Sequence, residues 1–324
     1  MKFGIIGLGN HAINRVMPAI KSSGHSVTAI YSRSLKKAEK EGASYGAKAF
    51  SDLDALFTDG DFDAVYIASP NFLHYEQARL SMENGKDVLL EKQMTLSNGD
   101  ASDLVRISTE TGRRLAVGFH MRFHPAVAEI RNMISGGKFG TITLVQGTWG
   151  GLSQGRSDNP DRRWWTEDEK VGGGSVMGTG VHVLDTINFL LGSWPGKISA
   201  YRQPAKAVID NTEAISMEYN SIIAHAVSSR AMKHPRNDLV VYGTEATAVA
   251  RDVFSTTVNS DLEIDGKIAK TFREGNLYEE EIRAFADMVK GKKSNIATVK
   301  DGEAVVKIVN AAFLSDTTGK VTTP

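Results

Sequence analysis

Gly7-Leu8-Gly9-Asn10-His11-Ala12 follows the apolar run Phe3–Ile6 and opens a segment with helical spacing. In a strand–turn–helix unit of this kind, the first glycine makes the tight turn and the second lets the backbone approach a phosphate. A small third residue lets helix and strand pack closely. Free N–H groups and the helix dipole attract an anion to the start of the helix. The stretch therefore predicts a turn that holds the pyrophosphate of a nicotinamide dinucleotide.

Strand and helix patterns alternate through the first 120 residues. Further strands are indicated over Ser26–Tyr31, Asp63–Ser69, Asp87–Lys92 and Arg114–His120, with helical spacing between them. Such alternation is typical of βαβ units in a parallel, doubly wound sheet, which is the α/β Rossmann architecture. Right-handed crossovers place the ligand at the carboxyl ends of the strands. This context favours the dinucleotide interpretation over a glycine-rich turn that binds nothing.

The pattern changes after His120. One helix over Pro125–Ser135 is followed by β-like runs between residues 141 and 264, and two helices close the chain. Strands without intervening helices indicate an antiparallel sheet in an α+β domain. Because 324 residues exceed one ordinary core, we predict two domains, a nucleotide-binding domain over residues 1–120 and a substrate-binding and oligomerisation domain over residues 121–324.

Charge and composition exclude several classes of partner. Lys and Arg together number 38, as do Asp and Glu, so nothing electrostatic favours nucleic acid or an anionic membrane. No apolar run approaches the length of a transmembrane span, and we expect no signal peptide, because a strand is predicted at the N-terminus. Cysteine is absent, which excludes thiolate sites and is expected of a cytoplasmic protein. The scattered histidines predict no metal site.

The end of the second predicted strand bears on the choice of dinucleotide. An NAD site usually carries Asp or Glu there, to bind the ribose hydroxyls. This chain has Ser32, Arg33 and Ser34 instead, with Lys37 just beyond. A guanidinium flanked by hydroxyls suits a 2′-phosphate. We therefore predict a preference for NADP, with NAD as the second choice; the alternative is that Arg33 and Lys37 are solvated charges at the start of a helix.

Three further motifs follow the first turn in order, Ala68–His74, Gly85–Lys92 and Gly172–Asp185. Together the four resemble the glucose–fructose oxidoreductase / inositol dehydrogenase / MocA family along essentially the whole chain. The resemblance implies a Rossmann domain followed by an α+β domain with a large, open, mostly antiparallel sheet. It also implies an enzyme that acts on sugars, polyols or related cyclic alcohols, and a homodimer or homotetramer formed through the open face of that sheet.

Lys92 and His182 match the lysine and the active-site histidine of this family. An ammonium at the end of a strand can stabilise an alkoxide, and an imidazole that titrates near neutrality can move the hydroxyl proton. The expected reaction is hydride transfer between the nicotinamide and a carbinol carbon. Two positions depart from the family: Gln93 replaces a proline after the lysine, and Gly178 replaces an aspartate four residues before the histidine.

The resemblance also implies residues that bind substrate. Asp185 shares a helical face with His182 and is expected to orient a substrate hydroxyl or to hold the imidazole. Arg122 is expected to position the cofactor or contact substrate, with a structural role as the alternative. Independently of the resemblance, Trp164 and Trp165 lie in a polar loop before the glycine stretch and are expected to stack on a sugar face, or to pack against a neighbouring subunit.

Further residues are expected beside the cofactor because they match positions of the family. Glu91 is the partner of the catalytic lysine in its motif and is expected to bind ribose or backbone, or to be structural. His74 is expected to contact the cofactor, or else to cap or pack its own helix. The remaining residues expected at the cofactor are Ser69, Pro70, Asn71 and Arg122.

The function that follows is an NADP-preferring sugar dehydrogenase or reductase of the aldose 1-dehydrogenase type. Its expected substrate is a sugar or polyol. Three alternatives use the same fold: a redox-assisted glycosidase that retains NAD, a dihydrodiol-type or imine-type reductase, and a non-catalytic dinucleotide-binding regulator. The retained Lys92 and His182 disfavour the regulator, and the basic residues near Arg33 disfavour the glycosidase.

Overall fold

The computed structural model describes residues 1–152, 164–165 and 167–324. They form two compact units, of which the first comprises Met1–Phe119 with Tyr278–Glu303, and the second comprises His120–Leu277 with Ala304–Pro324. The chain passes from the first unit to the second after Phe119 and returns to the first unit over Tyr278–Glu303. The predicted domains 1–120 and 121–324 are each one continuous stretch of sequence and do not include this return.

Tyr278–Glu303 joins the first unit through both strand pairing and packing. Its short strand β15 (Ala297–Thr298) pairs antiparallel with β6 (Leu115–Val117). Phe285 packs against Phe3, with ring centroids 6.0 Å apart. Neither contact can be predicted from the local sequence pattern.

The first unit contains a seven-stranded sheet with the strand order β15-β6-β5-β4-β1-β2-β3, in which every neighbouring pair except β15–β6 is parallel. The central strands are apolar on both faces because helices cover both sides. The other strands are β1 Lys2–Ile6, β2 Ser26–Tyr31, β3 Lys48–Phe50, β4 Ala64–Ile67 and β5 Asp87–Leu90. The helices are α1 Met17–Ser22, α2 Leu35–Gly42, α3 Leu53–Asp59, α4 His74–Glu83, α5 Asn98–Thr111 and α9 Leu277–Val289.

The second unit contains an eight-stranded sheet with the order β14-β13-β12-β11-β7-β10-β9-β8, in which only β7 and β10 are parallel neighbours. This confirms the large, mostly antiparallel sheet. Its strands are β7 Ile142–Gly150, β8 Lys197–Gln203, β9 Thr212–Tyr219, β10 Ile222–Ser229, β11 Leu239–Gly243, β12 Thr247–Ala250, β13 Ser260–Ile264 and β14 Lys267–Phe272. The helices are α6 Pro125–Ser135, α7 Asp168–Val171, α8 Val181–Leu191 and α10 Val299–Thr318, whose residues up to Glu303 belong to the first unit.

One face of this sheet carries α8, and two glycines permit the close approach. A Cβ on Gly147 of β7 would come within 2.6 Å of Val183 of α8, and a Cβ on Gly180 within 2.9 Å of Ser228 of β10. Small residues at these points let the helix lie directly on the strands. Helix α8 is therefore fixed on the sheet at the turn that carries His182.

The opposite face of the sheet presents apolar side chains to solvent. Tyr201 is 76% exposed, and Ile223 and Tyr242 are also exposed. Because side chains alternate along a strand, all three lie on the face away from α8. Among the described helices, none is long and apolar enough to cross a membrane.

Candidate active site

The dinucleotide turn has the two glycine environments that a phosphate cradle needs. Gly7 has φ +97°, and a Cβ there would come within 2.7 Å of the backbone of Ala68 and Ser69. Gly9, in contrast, has open space around the position of a Cβ, with no atom within 4 Å. The buried Ala12 begins a π-helical turn that runs directly into α1, so Pro18 lies inside one continuous helical segment that begins at Asn10. These residues fit a bound pyrophosphate.

The two glycines are expected to respond differently to alanine. Gly7→Ala should lower the free energy of unfolding by about 1–3 kcal/mol, because alanine would be forced into the left-handed region against the backbone of Ala68. Gly9→Ala should leave stability unchanged and raise the Kd for NADP about tenfold, a loss of about 1.4 kcal/mol, since its methyl group would project into the cradle. Differential scanning calorimetry and calorimetric NADP titration separate the two effects. Equal effects of the two substitutions on Kd would contradict this assignment.

Glu91, at the end of β5, is the centre of a hydrogen-bond network. His11 Nε2 donates to Glu91 Oε1 at 3.0 Å, Tyr66 donates its hydroxyl proton to the same oxygen, and the Lys92 backbone N–H donates to Oε2 at 3.3 Å. Burial alone would raise the pKa of Glu91, but His11, Lys92 and Tyr66 outweigh it and lower that pKa to about 2. The carboxylate is thus engaged with protein groups, which favours a positioning role over ribose binding.

This network ties the dinucleotide turn to the residue that precedes Lys92. Strands β1, β4 and β5 are neighbours in the sheet, so their carboxyl ends lie along one edge. His11 belongs to the turn after β1, and its ring also packs edge-on against Tyr278, with centroids 5.2 Å apart. Lys92 therefore stands at the same edge as the turn. The Lys92–Gln93 peptide bond is cis, at the point where the sequence lacks the family's proline.

His74 connects the loops that follow β4 and β5. It is fully buried, with Nδ1 2.8 Å from the carbonyl oxygen of Gln93 and Nε2 2.9 Å from that of Ser69. Both nitrogens are thus occupied by backbone, and burial lowers the pKa of the imidazole more than its hydrogen bonds raise it. The contacts favour the packing alternative for His74 over direct contact with a cofactor.

The other predicted residues of this loop lie at the same edge of the sheet. Pro70 precedes a 3₁₀ turn over Asn71–Leu73, and Asn71 is 5% exposed. The Ser69 hydroxyl donates to Gln77 Oε1 at 2.5 Å. The loop is therefore anchored from within the first unit by Gln77 and His74.

At the end of β2 the two serines shape the turn and leave the cations exposed. Ser34 is the N-cap of α2 and accepts from the Lys37 backbone N–H at 3.3 Å. Ser32 Oγ accepts from the Ser34 N–H, also at 3.3 Å. Arg33 and Lys36 are exposed, and within residues 1–152, 164–165 and 167–324 no carboxylate pairs with either of them or with Lys37.

His182 lies in an aromatic cluster on the inner face of the second sheet. It is 2% exposed, and its ring centroid is 4.5 Å from that of His120 and 5.3 Å from that of Trp149. Trp149 stacks in turn on Phe254 at 5.9 Å. His120 and Trp149 were not predicted as neighbours of His182. Trp149 could have been predicted to face the site, because it lies near the end of β7 on the same face as Val145 and Gly147.

Arg122 and Asp185 form a buried, two-pronged ion pair. Arg122 Nε donates to Asp185 Oδ2 at 2.8 Å and Nη2 donates to Oδ1 at 2.6 Å, and the side chains are 5% and 1% exposed. The guanidinium also lies over the Phe189 ring, 4.9 Å from its centroid. Because both carboxylate oxygens accept from Arg122, the pair favours a structural role over the predicted substrate contact. It fixes the turn of α8 that carries His182.

The glycine stretch before α8 is held by a second carboxylate. Asp210 accepts from the backbone N–H of Gly174 at 2.7 Å and of Ser175 at 2.9 Å, and it also accepts from the Ser175 hydroxyl. Only glycine fits at 174, because a Cβ there would overlap the Asp210 carbonyl. A π-helical turn, Val176–Gly180, then leads into α8, and such turns recur at functional sites.

Gly178 lies within this π-helical turn. A Cβ built there would have no atom of the described residues within 4 Å. This is the position at which the family carries an aspartate. Trp164 and Trp165 stack on each other with centroids 4.3 Å apart and are half-buried. Arg162 and Arg163, which precede them, lie outside the described residues. No group of three or more His, Asp or Glu side chains in the described ranges could hold a metal ion.

Two family models match this chain. Residues 1–119 match the model of the oxidoreductase family with the NAD-binding Rossmann fold, and residues 127–249 match the GFO/IDH/MocA C-terminal domain. The chain is 27% identical over 314 residues to the 1,5-anhydro-D-fructose reductase of Ensifer adhaerens, covering 93% of this chain and 92% of that one. It is 26% identical over 329 residues to D-xylose 1-dehydrogenase (NADP(+)) 2 of Haloferax volcanii, covering 98% of both chains.

Among solved structures, the aldose-aldose oxidoreductase from Caulobacter crescentus complexed with glycerol has the same fold. Its TM-score is 0.88 at 20% sequence identity, with 100% of this chain and 99% of that chain covered. Because the two family models match separate parts of the chain in the order of the two sheets, the chain belongs to the GFO/IDH/MocA family of oxidoreductases.

Proposed function

We propose that the protein is an NADP-preferring oxidoreductase that transfers hydride between the nicotinamide and a carbinol or carbonyl carbon of a sugar or polyol. One observation carries the proposal. Glu91 holds His11 of the dinucleotide turn at 3.0 Å and precedes Lys92 directly, so an ammonium group stands at the edge of the sheet where the dinucleotide turn lies. The full-length relatives named for sugar chemistry support the substrate class.

In this proposal Lys92 and His182 divide the acid–base work. The half-buried ammonium of Lys92 stabilises negative charge on the substrate oxygen, and partial exclusion of water strengthens that interaction. His182 accepts the hydroxyl proton in one direction and returns it in the other. The rings of His120 and Trp149 hold the imidazole in place. Asp185 and Arg122 act through α8, as positioning residues.

The preference for NADP is supported by the start of α2. Ser34 is the N-cap, so Lys36 and Lys37 occupy the first turn, which contains no acidic residue. Cations at a helix N-terminus oppose the dipole, at a cost of about 0.3–1 kcal/mol each. A phosphate bound there would relieve that repulsion and pair with Arg33. We propose that this cluster binds the 2′-phosphate of NADP.

Arg33→Asp is expected to reverse the cofactor preference. The loss of a hydrogen bond to a charged group, about 1.5–3 kcal/mol, should lower kcat/KM for NADP by about 10- to 150-fold. The new carboxylate should raise kcat/KM for NAD, because it can bind the ribose hydroxyls. The matched control is Arg114→Asp, an exposed arginine at the opposite edge of the sheet. A preference for NAD in the wild-type enzyme would refute the proposal.

A spectrophotometric screen tests the reaction itself. NADP reduction is followed with aldoses, polyols and inositols, and NADPH oxidation with keto-sugars; turnover of at least one sugar is expected. Release of a leaving group from a glycoside without net cofactor turnover would identify the redox-assisted glycosidase instead. Dinucleotide binding without turnover of any compound would favour the regulator, and turnover confined to dihydrodiols or imines would favour that type of reductase.

We also propose a homodimer or homotetramer formed through the outer face of the second sheet. The exposed Tyr201, Ile223 and Tyr242 on that face support it, because large exposed apolar side chains on one surface are typical of an interface. Sedimentation of the wild type and of Ile223→Glu provides the test.

A further inference from the structure

The second unit contains a cleft whose chemistry extends the proposed function. Its volume is about 340 Å³, within the range of about 300–1,000 Å³ that ligand pockets occupy. Residues that line it include Trp149, Asn237, Asp252, Ser255, Thr257 and Asn259. None of them was singled out by the sequence, and only Trp149, whose ring packs against His182, takes part in the mechanism proposed above.

The lining offers several polar groups of the kinds that bind sugar hydroxyls. The Ser255 and Thr257 hydroxyls lie 3.1 Å apart. Asn259 is exposed and makes no hydrogen bond to another residue of the described ranges. Asp252 is fixed in the left-handed region with φ +47°, and its Oδ1 accepts from the Asn237 backbone N–H at 3.3 Å. Its Oδ2 accepts no hydrogen bond from any residue that the structure describes.

The charge of the cleft restricts what can bind. Among the described residues that line it, one is a carboxylate and none is a cation. A phosphate or diphosphate placed there would be repelled by Asp252 without compensation. The lining therefore matches an uncharged group rich in hydroxyls and disfavours the diphosphate of a nucleotide sugar.

The cleft begins at the tryptophan that contacts His182. The Trp149 ring lies 5.3 Å from the His182 ring on one side and 5.9 Å from the Phe254 ring, which also borders the cleft. A ligand in the cleft is thus separated from the imidazole by the width of one indole. A single sugar ring whose hydroxyl contacts His182 would leave the cleft empty, whereas a second ring attached to it would enter.

We infer that this cleft binds a second sugar ring, so that the preferred substrate is a disaccharide or glycoside rather than a free monosaccharide. This inference rests on the proposed sugar oxidoreductase function. Binding energy from the second ring, which does not react, would help to orient the reacting carbon. The cleft residues would then determine specificity without touching the reacting atoms.

The binding test uses the full-length enzyme saturated with NADP, and it titrates D-glucose, cellobiose and UDP-glucose by isothermal calorimetry. We expect cellobiose to bind at least tenfold more tightly than glucose, and UDP-glucose no more tightly than glucose. Asn259→Ala should bring cellobiose to the affinity of glucose and leave glucose unchanged. The control Asn132→Ala, an exposed asparagine on α6, should change neither.

The assignment of the cleft to a second sugar ring is wrong if cellobiose binds no more tightly than glucose, or if UDP-glucose binds more tightly than cellobiose. An equal loss of affinity in Asn259→Ala and Asn132→Ala would also overturn it. Turnover measured in parallel separates this inference from the proposed function. If sugars are turned over but cellobiose has no advantage, the cleft assignment fails alone. If cellobiose binds through Asn259 but no sugar is turned over, the proposed reaction fails and the binding site stands.

Discussion

Lys92→Met is expected to lower kcat about 10²- to 10³-fold, because it removes one preorganised group that stabilises charge on the substrate oxygen. Methionine has a similar length and no charge, so it should keep the packing of a half-buried side chain. The pKa of Glu91 is lowered partly by Lys92, but His11 and Tyr66 remain, and the dinucleotide turn should stay in place. The Kd for NADP is therefore expected to change by less than a factor of about three.

Steady-state kinetics and calorimetric NADP titration check this prediction together. The matched control is Lys293→Met, an exposed lysine of the first unit, which should behave as the wild type. Normal kcat in Lys92→Met would remove Lys92 from the reaction. If Lys92→Met instead raises the Kd for NADP as strongly as it lowers kcat, Lys92 belongs to the cofactor site alone.

Asp185→Ala is expected to lower the free energy of unfolding of the second unit by about 3–5 kcal/mol, because it leaves the buried Arg122 guanidinium without its carboxylate. The double substitution Arg122→Met with Asp185→Leu should recover most of this loss, since it leaves no buried charge. All four tryptophans of the chain, at 149, 164, 165 and 194, lie in the second unit. Urea unfolding followed by tryptophan fluorescence therefore reports on that unit.

An exposed ion pair provides the comparison for this measurement. Glu83 on α4 accepts from Arg79 at 2.8 Å, and both side chains are partly exposed. Glu83→Ala should lower the free energy of unfolding by less than about 1 kcal/mol. Unfolding of this variant is followed by circular dichroism. If Asp185→Ala costs no more than Glu83→Ala, the ion pair does not hold α8, and direct substrate contact becomes the better explanation for Asp185.

The fold class was predictable because local sequence patterns determine it. The glycine turn, the alternating strands and helices and the later clustered strands each depend on short stretches of sequence, and both sheets were confirmed. Short or peripheral elements were missed for the same reason. β3 has only three residues, and β14 (Lys267–Phe272) is an exposed edge strand with almost no buried face. Neither gives a clear alternation of apolar and polar residues.

The site was predictable as a set of residue types but not as a network. Lys92, His182 and the glycine turn were predicted from their motifs. The partners of the other polar residues were not, since they lie far apart in the chain. Glu91 and His11 are separated by 80 positions and Arg122 and Asp185 by 63. No local pattern reports such a pairing, so the sequence left open whether Glu91 and Arg122 contact a ligand or hold the site.

The return of Tyr278–Glu303 to the first unit bears on how the protein is made. During synthesis the first 119 residues leave the ribosome with the edge of β6 unpaired and Phe3 not yet covered by Phe285. An open strand edge is a template for pairing with other chains. The nascent N-terminal third must therefore wait for nearly the whole chain before its sheet is complete. A fragment ending at residue 119 would keep this defect permanently and would be prone to aggregate.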